Sequence, residues 1–150
     1  MSQVVLLDSG PLGMVTNPKA SSTEVQECKL WLNTLPQKNY TVMLPEITDY
    51  EVRRELLRAG KIKSIRRLDR LKLQIPYLPL TTETMLLAAQ LWAEARLRGR
   101  PTAEPSALDG DVILAAQAML LENQGYEVVI ATTNVGHLSQ FIDAREWRAI

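Results

Sequence analysis

Short apolar runs recur along the chain, and each is closed by a polar or turn-forming residue. Residues 4–7 are all apolar and end at Asp8, after which Ser9-Gly10-Pro11 breaks the run. Residues 41–44 and 127–131 repeat the pattern, and Pro45 closes the first of these two. Such runs are typical of strands that are buried on both faces, as the central strands of parallel sheets are.

Longer segments between these strands have apolar residues at steps of three and four, which predicts amphipathic helices. The predicted helices cover residues 22–32, 48–60, 62–72, 82–98 and 110–122. Ser22 or Thr23 can cap the first, Thr48-x-x-Glu51 resembles a capping box, and Asp109 can cap the last. Residues 74–80 contain two prolines, which permits only an edge strand, and residues 100–107 are predicted to be a loop.

The predicted order β-α-β-α-α-β-α-α-β, with a further short strand near Trp147, favours a three-layer α/β/α fold around a mostly parallel sheet. The 150 residues fit one domain over positions 1–150, and the content of 46% hydrophobic and 23% charged residues is that of a globular protein. The chain has one cysteine, Cys28, so it cannot form an intrachain disulfide. No apolar run approaches the about 20 residues of a membrane span, so a cytoplasmic protein is expected.

Four polar residues follow or face the carboxyl ends of the predicted strands, where parallel sheets have their binding crevice. Asp8 follows the first strand, Glu51 lies in the helix after the second, Asp111 opens the helix before the last long strand, and Asn134 follows that strand. Carboxylates gathered in one crevice repel each other unless a cation is present. Hard oxygen ligands suit Mg²⁺ or Mn²⁺.

Each acid also has a purely structural explanation. Asp8 can form an Asx turn before Gly10, Glu51 can complete a capping box, and Asp111 gains from the helix dipole. Their common location at one edge of the sheet favours a functional site.

Four segments of the chain resemble the successive motifs of PIN-domain endoribonucleases, particularly the VapC-type toxins of toxin-antitoxin systems. They are Val5-Leu6-Leu7-Asp8-Ser9, Ile47-Thr48-Asp49-Tyr50-Glu51, Asp111-Val112-Ile113-Leu114-Ala115-Ala116-Gln117-Ala118 and Thr132-Thr133-Asn134. The resemblance spans residues 4–141, and its most specific part is the segment that starts at Asp111. It implies a PIN-like fold, a Mg²⁺- or Mn²⁺-dependent endoribonuclease, an antitoxin partner and a homodimer.

The resemblance also implies roles for single residues. Asp8, Glu51 and Asp111 would hold the metal, which would activate a water to cleave RNA and leave a 5′-phosphate and a 3′-hydroxyl. The fourth position of the family is often Asp but is Asn134 here, which favours a one-metal site. Thr132 is a candidate for orienting the site, and His137 is a weak candidate ligand because it lacks partners at metal-site spacing.

Basic residues are concentrated near the predicted crevice, although the 17 Lys+Arg balance the 17 Asp+Glu. Nine of those 17 basic residues lie in one segment: Arg53, Arg54, Arg58, Lys61, Lys63, Arg66, Arg67, Arg70 and Lys72. They could guide RNA or receive the antitoxin, or they could form an ordinary solvated helix face.

Two other functions are compatible with parts of this pattern. A PIN domain weakened by Asn134 could bind RNA or a protein without catalysis. A phosphoacceptor at Asp8 is the second alternative, although haloacid-dehalogenase phosphatases need an acid where Gly10 stands. A Rossmann nucleotide site is disfavoured because G-x-G-x-x-G and Walker A motifs are absent.

Overall fold

In the part of the chain that the structure describes, five strands form one sheet. They are β1 (Gln3–Leu7), β2 (Tyr40–Pro45), β3 (Tyr77–Leu78), β4 (Glu127–Thr132) and β5 (Ala144–Glu146), in the order β3-β2-β1-β4-β5. All four strand pairs are parallel. The structure is a computed structural model that describes residues 2–19, 21–98 and 105–150, without the side chains of residues 105–108.

Over the described residues, six helices connect the strands. They are α1 (Ser9–Thr16), α2 (Thr23–Thr34), α3 (Glu46–Arg58), α4 (Ile62–Gln74), α5 (Thr82–Leu97) and α6 (Pro105–Asn123). Three 3₁₀ turns add Pro36–Lys38, Leu138–Gln140 and Trp147–Ala149. None of these helices is long and apolar enough to cross a bilayer in the part of the chain that the structure describes.

The alternation of side chains along β1 separates two cores. Val5 and Leu7 pack with residues of α1, α2 and α4 on one face of the sheet, whereas Val4 and Leu6 pack with α6 on the other. Helix α5 covers the outer face of α6 through a third apolar cluster. The predicted three-layer α/β/α fold around a parallel sheet is therefore confirmed, and the short strand at 77–78 lies at the predicted edge.

Helix α1 was not among the predicted helices. Ser9-Gly10-Pro11 ends β1 as expected, but it also forms the first turn of α1, with Asp8 as the N-cap. The Asp8 carboxylate accepts a hydrogen bond of 2.8 Å from the Ser9 N–H. Proline is tolerated in the first turn because its missing N–H would have no intrahelical partner there.

The predicted capping box at Thr48 is wrong. Helix α3 begins at Glu46, directly after Pro45, so that Thr48 lies inside the helix. Its side chain is fully buried, and its hydroxyl has no hydrogen-bond partner among the described residues. Glu51 therefore does not complete a capping box with Thr48, which excludes this structural explanation of Glu51.

Replacing Thr48 with valine is expected to raise the free energy of unfolding by about 1 kcal/mol, because a buried hydroxyl without a partner gives way to a methyl group of similar shape. The change is measured by urea denaturation of the two proteins. Unchanged or lower stability would mean that the hydroxyl finds a partner in solution.

The predicted start of α6 is also wrong. The helix begins at Pro105, not Gly110, so that Asp109 is not its cap and Asp111 does not lie in its first turn. Proline is again compatible with the first turn of a helix. The predicted loop is thus helical over residues 105–107, whereas its first part, residues 100–104, and the predicted helix end at Gly99 lie outside the described residues.

Candidate metal centre

The strand order places a crevice between β1 and β4. The chain leaves β1 toward β2 and β3 on one side, whereas β4 and β5 lie on the other, so that the order reverses at the carboxyl ends of β1 and β4. Parallel α/β sheets bind ligands at such a switch point. Leu7 pairs with Ala131 in the ladder, so Asp8 and Thr132 follow it side by side.

Both oxygens of the Asp8 carboxylate are held by hydrogen bonds. Oδ1 accepts from the Ser9 N–H, and Oδ2 accepts from the Thr132 hydroxyl at 2.8 Å. Thr132 is fully buried, and its Oγ1 also accepts from the Asn134 N–H at 3.0 Å. The first strand and the loop after β4 are thereby joined at the crevice, and the orientation of Asp8 is fixed.

Glu51 reaches from α3 to the backbone of α6. Its Oε2 occupies the space that a Cβ on Gly110 would need. Burial raises the pKa of the half-buried Glu51, as does the charge of Asp8 and, less strongly, that of Asp111, while Arg54 acts in the opposite direction. Glu51 thus lies beside the turn of α6 that carries Asp111.

Asp111 is the most perturbed carboxyl group of the crevice. Burial, followed by the charge of Asp8, raises its pKa from 3.8 to about 6, and His137 partly offsets this rise. Asp8 therefore raises the pKa of both other carboxyls. The structure brings three predicted site residues from β1, α3 and α6 into one region of negative charge, which a cation would stabilise.

The chemistry of these donors fits Mg²⁺ or Mn²⁺, but the side chains do not form a ready set of direct ligands. Among the described residues, no three His, Cys, Asp or Glu side chains are arranged to hold one ion. Since Mg²⁺ keeps several waters and takes only one or two carboxylates, contacts through water are compatible with the more open arrangement. The metal assignment remains a prediction.

Asn134, the fourth predicted residue, turns toward its own loop. It is exposed, and its Oδ1 accepts from the Gly136 N–H at 3.2 Å. His137 in the same loop is half-buried, its Nδ1 is shielded from solvent without a hydrogen-bond partner in the described chain, and its charge acts on Asp111. The sequence had indicated His137 as a candidate only through its position three residues after Asn134.

Asp49, a buried acid outside the predicted site, connects the helix that carries Glu51 to its neighbours. Asp49 is 4% exposed and accepts from Arg53 Nε and from the Tyr77 hydroxyl, both at 3.0 Å. Arg53 also binds Asp69 of α4 at 2.7 Å. These contacts connect α3 with α4 and β3, and the spacing of Asp49 and Arg53 by four residues was the signal that could have revealed them.

The basic segment is only partly available for a ligand. Arg53 is used by Asp49 and Asp69, and Arg58 pairs with Glu55 at 2.9 Å. Arg54 lies over the ring of Tyr50, 5.0 Å from its centroid, and Lys72 lies over the ring of Tyr77, 4.5 Å from its centroid. The predicted role of this segment in guiding RNA therefore rests on its other members.

Replacing Gly110 with alanine is expected to lower any activity of this site by about tenfold without destabilising the protein. Alanine favours a helix over glycine by about 0.5 to 1 kcal/mol, but its Cβ would displace the Glu51 carboxylate. Gly13→Ala in α1 is the matched control, because a Cβ there meets no atom within 4 Å. Thermal unfolding and RNA cleavage are measured on both variants. Full activity of Gly110→Ala would mean that cleavage does not require the Glu51 carboxylate to lie against Gly110.

Comparison with solved structures identifies similar folds. The crystal structure of VapBC2 from Rickettsia felis bound to a DNA fragment from their promoter matches with a TM-score of 0.71 at 15% identity, covering 95% of this chain and 98% of that chain. The structure of VapBC-1 from nontypeable Haemophilus influenzae matches with a TM-score of 0.64 at 18% identity, covering 97% and 99%. No protein-family model and no curated protein matches the sequence. The resemblance to VapC-type PIN domains is thus confirmed for the fold, and the chain has a PIN-like three-layer α/β/α architecture.

Proposed function

We propose that this protein is a Mg²⁺- or Mn²⁺-dependent endoribonuclease and the toxin of a toxin-antitoxin pair. The observation that carries the proposal is the position of three carboxylates at the switch point of the sheet, where the Thr132 hydroxyl holds Asp8 and Glu51 lies against Gly110, next to Asp111. The likeness of the fold to that of VapBC structures over nearly the whole chain supports it.

In this proposal the protein contributes a fixed arrangement of charge. When bound, the metal supplies Lewis-acid polarisation of a phosphoryl oxygen and activation of the attacking water. Asp8 is oriented by Ser9 and Thr132, so little rearrangement is needed before it can act as a ligand. Glu51 and Asp111, which lie on two different helices, would complete the donor set directly or through water. The expected products carry a 5′-phosphate and a 3′-hydroxyl.

The test is cleavage of a mixed RNA pool by the purified protein with Mg²⁺, with Mn²⁺ and with EDTA. Cutting in either metal that stops in EDTA is expected. Saturable RNA binding without cleavage in any metal would favour the second candidate, a catalytically weak PIN domain that binds RNA or a protein. Asn134 favours that candidate, since it supplies no charge and its amide is engaged by Gly136.

We further propose an antitoxin partner, a homodimer and action in the cytoplasm. The solved neighbours are VapBC complexes, which supports the first of these proposals. Light scattering of the purified chain tests the second, and a mass that equals that of the monomer at micromolar concentration would exclude it.

Replacing Asn134 with aspartate is expected to lower the Mg²⁺ concentration for half-maximal cleavage by about threefold to tenfold. The added carboxylate would increase the negative charge of the crevice at neutral pH, and 1.4 kcal/mol corresponds to a tenfold change. Metal titrations of initial cleavage rates measure the effect. An unchanged half-maximal concentration would mean that residue 134 lies too far from the ion to matter.

A further inference from the structure

A second polar cavity lies between α1, α2 and α4, away from the carboxylate crevice. It is open to solvent, has a volume of about 330 Å³, and is lined by residues that include Val15, Lys29, Leu32, Arg67, Arg70 and Leu71. This volume is at the lower end of the range for small-molecule sites, which is about 300 to 1,000 Å³. None of these residues belongs to the proposed metal centre.

The lining contains three cations and no acid. In the part of the chain that the structure describes, no ion pair involves Lys29, Arg67 or Arg70. Lys29 is half-buried and is held by a hydrogen bond from its Nζ to the Asn17 carbonyl. Burial, followed by the charge of Arg67, lowers the pKa of Lys29. Like charges gathered in a concave site are stabilised by a bound anion.

The rest of the lining is suited to an organic group next to that anion. Val15, Leu32 and Leu71 provide apolar surface. Asn33 and Gln74 each carry an amide that can both donate and accept hydrogen bonds. Arginine binds phosphate with a planar pair of donors, which makes it well suited to phosphate esters. The cavity thus combines cationic side chains for a phosphate with apolar surface and amides for an organic group, and this combination suits a nucleotide.

The cavity is separate from the carboxylate crevice but close to it. Helix α1 begins beside Asp8, and Val15 lies seven residues further along the chain, which corresponds to about 10 Å of helix. The two sites carry opposite charge. A strand of RNA can span such a distance with a few nucleotides, since the phosphate spacing along a strand is of the order of several ångströms.

We propose that the cavity between α1, α2 and α4 binds a nucleoside phosphate, with the phosphate against Lys29, Arg67 and Arg70 and the base against the apolar wall. The ligand is either a nucleotide of an RNA strand or a free mononucleotide, which share this chemistry. The site does not depend on metal or on cleavage. It therefore stands or falls separately from the proposed nuclease activity.

The test is calorimetric titration of the full chain in EDTA, where metal-dependent cleavage cannot occur. Adenosine 5′-monophosphate is expected to bind with one-to-one stoichiometry and at least tenfold more tightly than adenosine. Arg67→Gln is expected to weaken this binding at least tenfold. Arg66→Gln is the matched control, because Arg66 is the exposed neighbour in the same helix and does not line the cavity. Thermal unfolding of both variants establishes that they fold.

Three further arms interpret the result. A short RNA that binds more tightly than the mononucleotide, with the same dependence on Arg67, identifies the RNA strand as the source of the ligand, whereas equal affinities identify the free nucleotide. Equal losses in the Arg66 and Arg67 variants would overturn the proposal, as would the absence of saturable nucleotide binding. Arg67-dependent binding of an acidic peptide without nucleotide binding would assign the cavity to a protein partner and would also overturn it.

Discussion

Replacing Asp8 or Asp111 with asparagine is expected to lower kcat/KM for RNA cleavage by at least about 10³-fold. Each substitution keeps the shape of the side chain but removes a negative charge that the metal needs, and metal-dependent activation of water is lost with the ion. In the Asp8 variant, the interaction of Oδ2 with the Thr132 hydroxyl is also altered. The measurement is the initial rate of cleavage of a defined RNA at saturating Mg²⁺.

Asp143→Asn is the matched control for these variants. Asp143 is exposed and pairs with Arg145 at 2.9 Å, so its replacement removes a charge of the same kind outside the crevice. Wild-type activity is expected for this variant. Cleavage that survives in both crevice variants would refute the proposed site, whereas a loss in the control as well would indicate an effect of net charge.

Without metal, Asp111→Asn is expected to be more stable than the wild type by about 1 to 3 kcal/mol at pH 7. Burial, followed by the charge of Asp8, raises the pKa of Asp111 from 3.8 to about 6, so at neutral pH the folded protein bears the cost of ionising this carboxyl group. One pKa unit corresponds to about 1.4 kcal/mol, and asparagine removes this cost because it carries no charge. Loss of activity and gain of stability would thus occur in the same variant.

The pH dependence follows from the same shift. Between about pH 4 and pH 6 the folded protein binds more protons at Asp111 than the unfolded chain does, so the contribution of this group to stability is present below pH 4 and is lost as the pH rises through 6. Burial and the charge of Asp8 also raise the pKa of Glu51, which acts in the same direction. The stability difference between Asp111→Asn and the wild type should therefore shrink toward pH 4.

Thermal unfolding in EDTA from pH 4 to pH 7.5 measures this difference, and Asp143→Asn again serves as the control. Added Mg²⁺ should raise the Tm of the wild type and reverse the order of the two proteins, because ligands stabilise the state that binds them. A variant that is no more stable than the wild type at pH 7 would show that ionised Asp111 does not destabilise the folded protein.

The elements of the fold could largely be predicted from the order of residues. Apolar runs of three or four residues predicted β1, β2 and β4, and their burial on both faces is the physical reason for that composition. Helices α2, α4 and α5 followed from their periodicity and from caps such as Ser22, which accepts from the Val25 N–H. Apolar runs, periodicity and caps each involve residues that are close together along the chain, so they can be recognised in the sequence alone.

Where local signals competed, the elements predicted from sequence were wrong. Thr48 and Glu51 have the spacing of a capping box, but Thr48 is buried in the core because α3 begins at Glu46. Asp109 has the character of a cap, but α6 begins at Pro105. A cap and an interior helical position differ only in what surrounds them, and tertiary packing decides that.

The sequence by itself determined which acids could form a site and at which edge of the sheet they lie. Only the tertiary structure decided how they are held. The Thr132 hydroxyl orients Asp8, Glu51 lies against Gly110, and Asn134 turns away toward Gly136. The first two of these contacts join residues that are far apart along the chain, and no periodicity or local propensity encodes such a pairing. They arise because parallel strands bring distant segments to one edge, where sterics and charge select the partners.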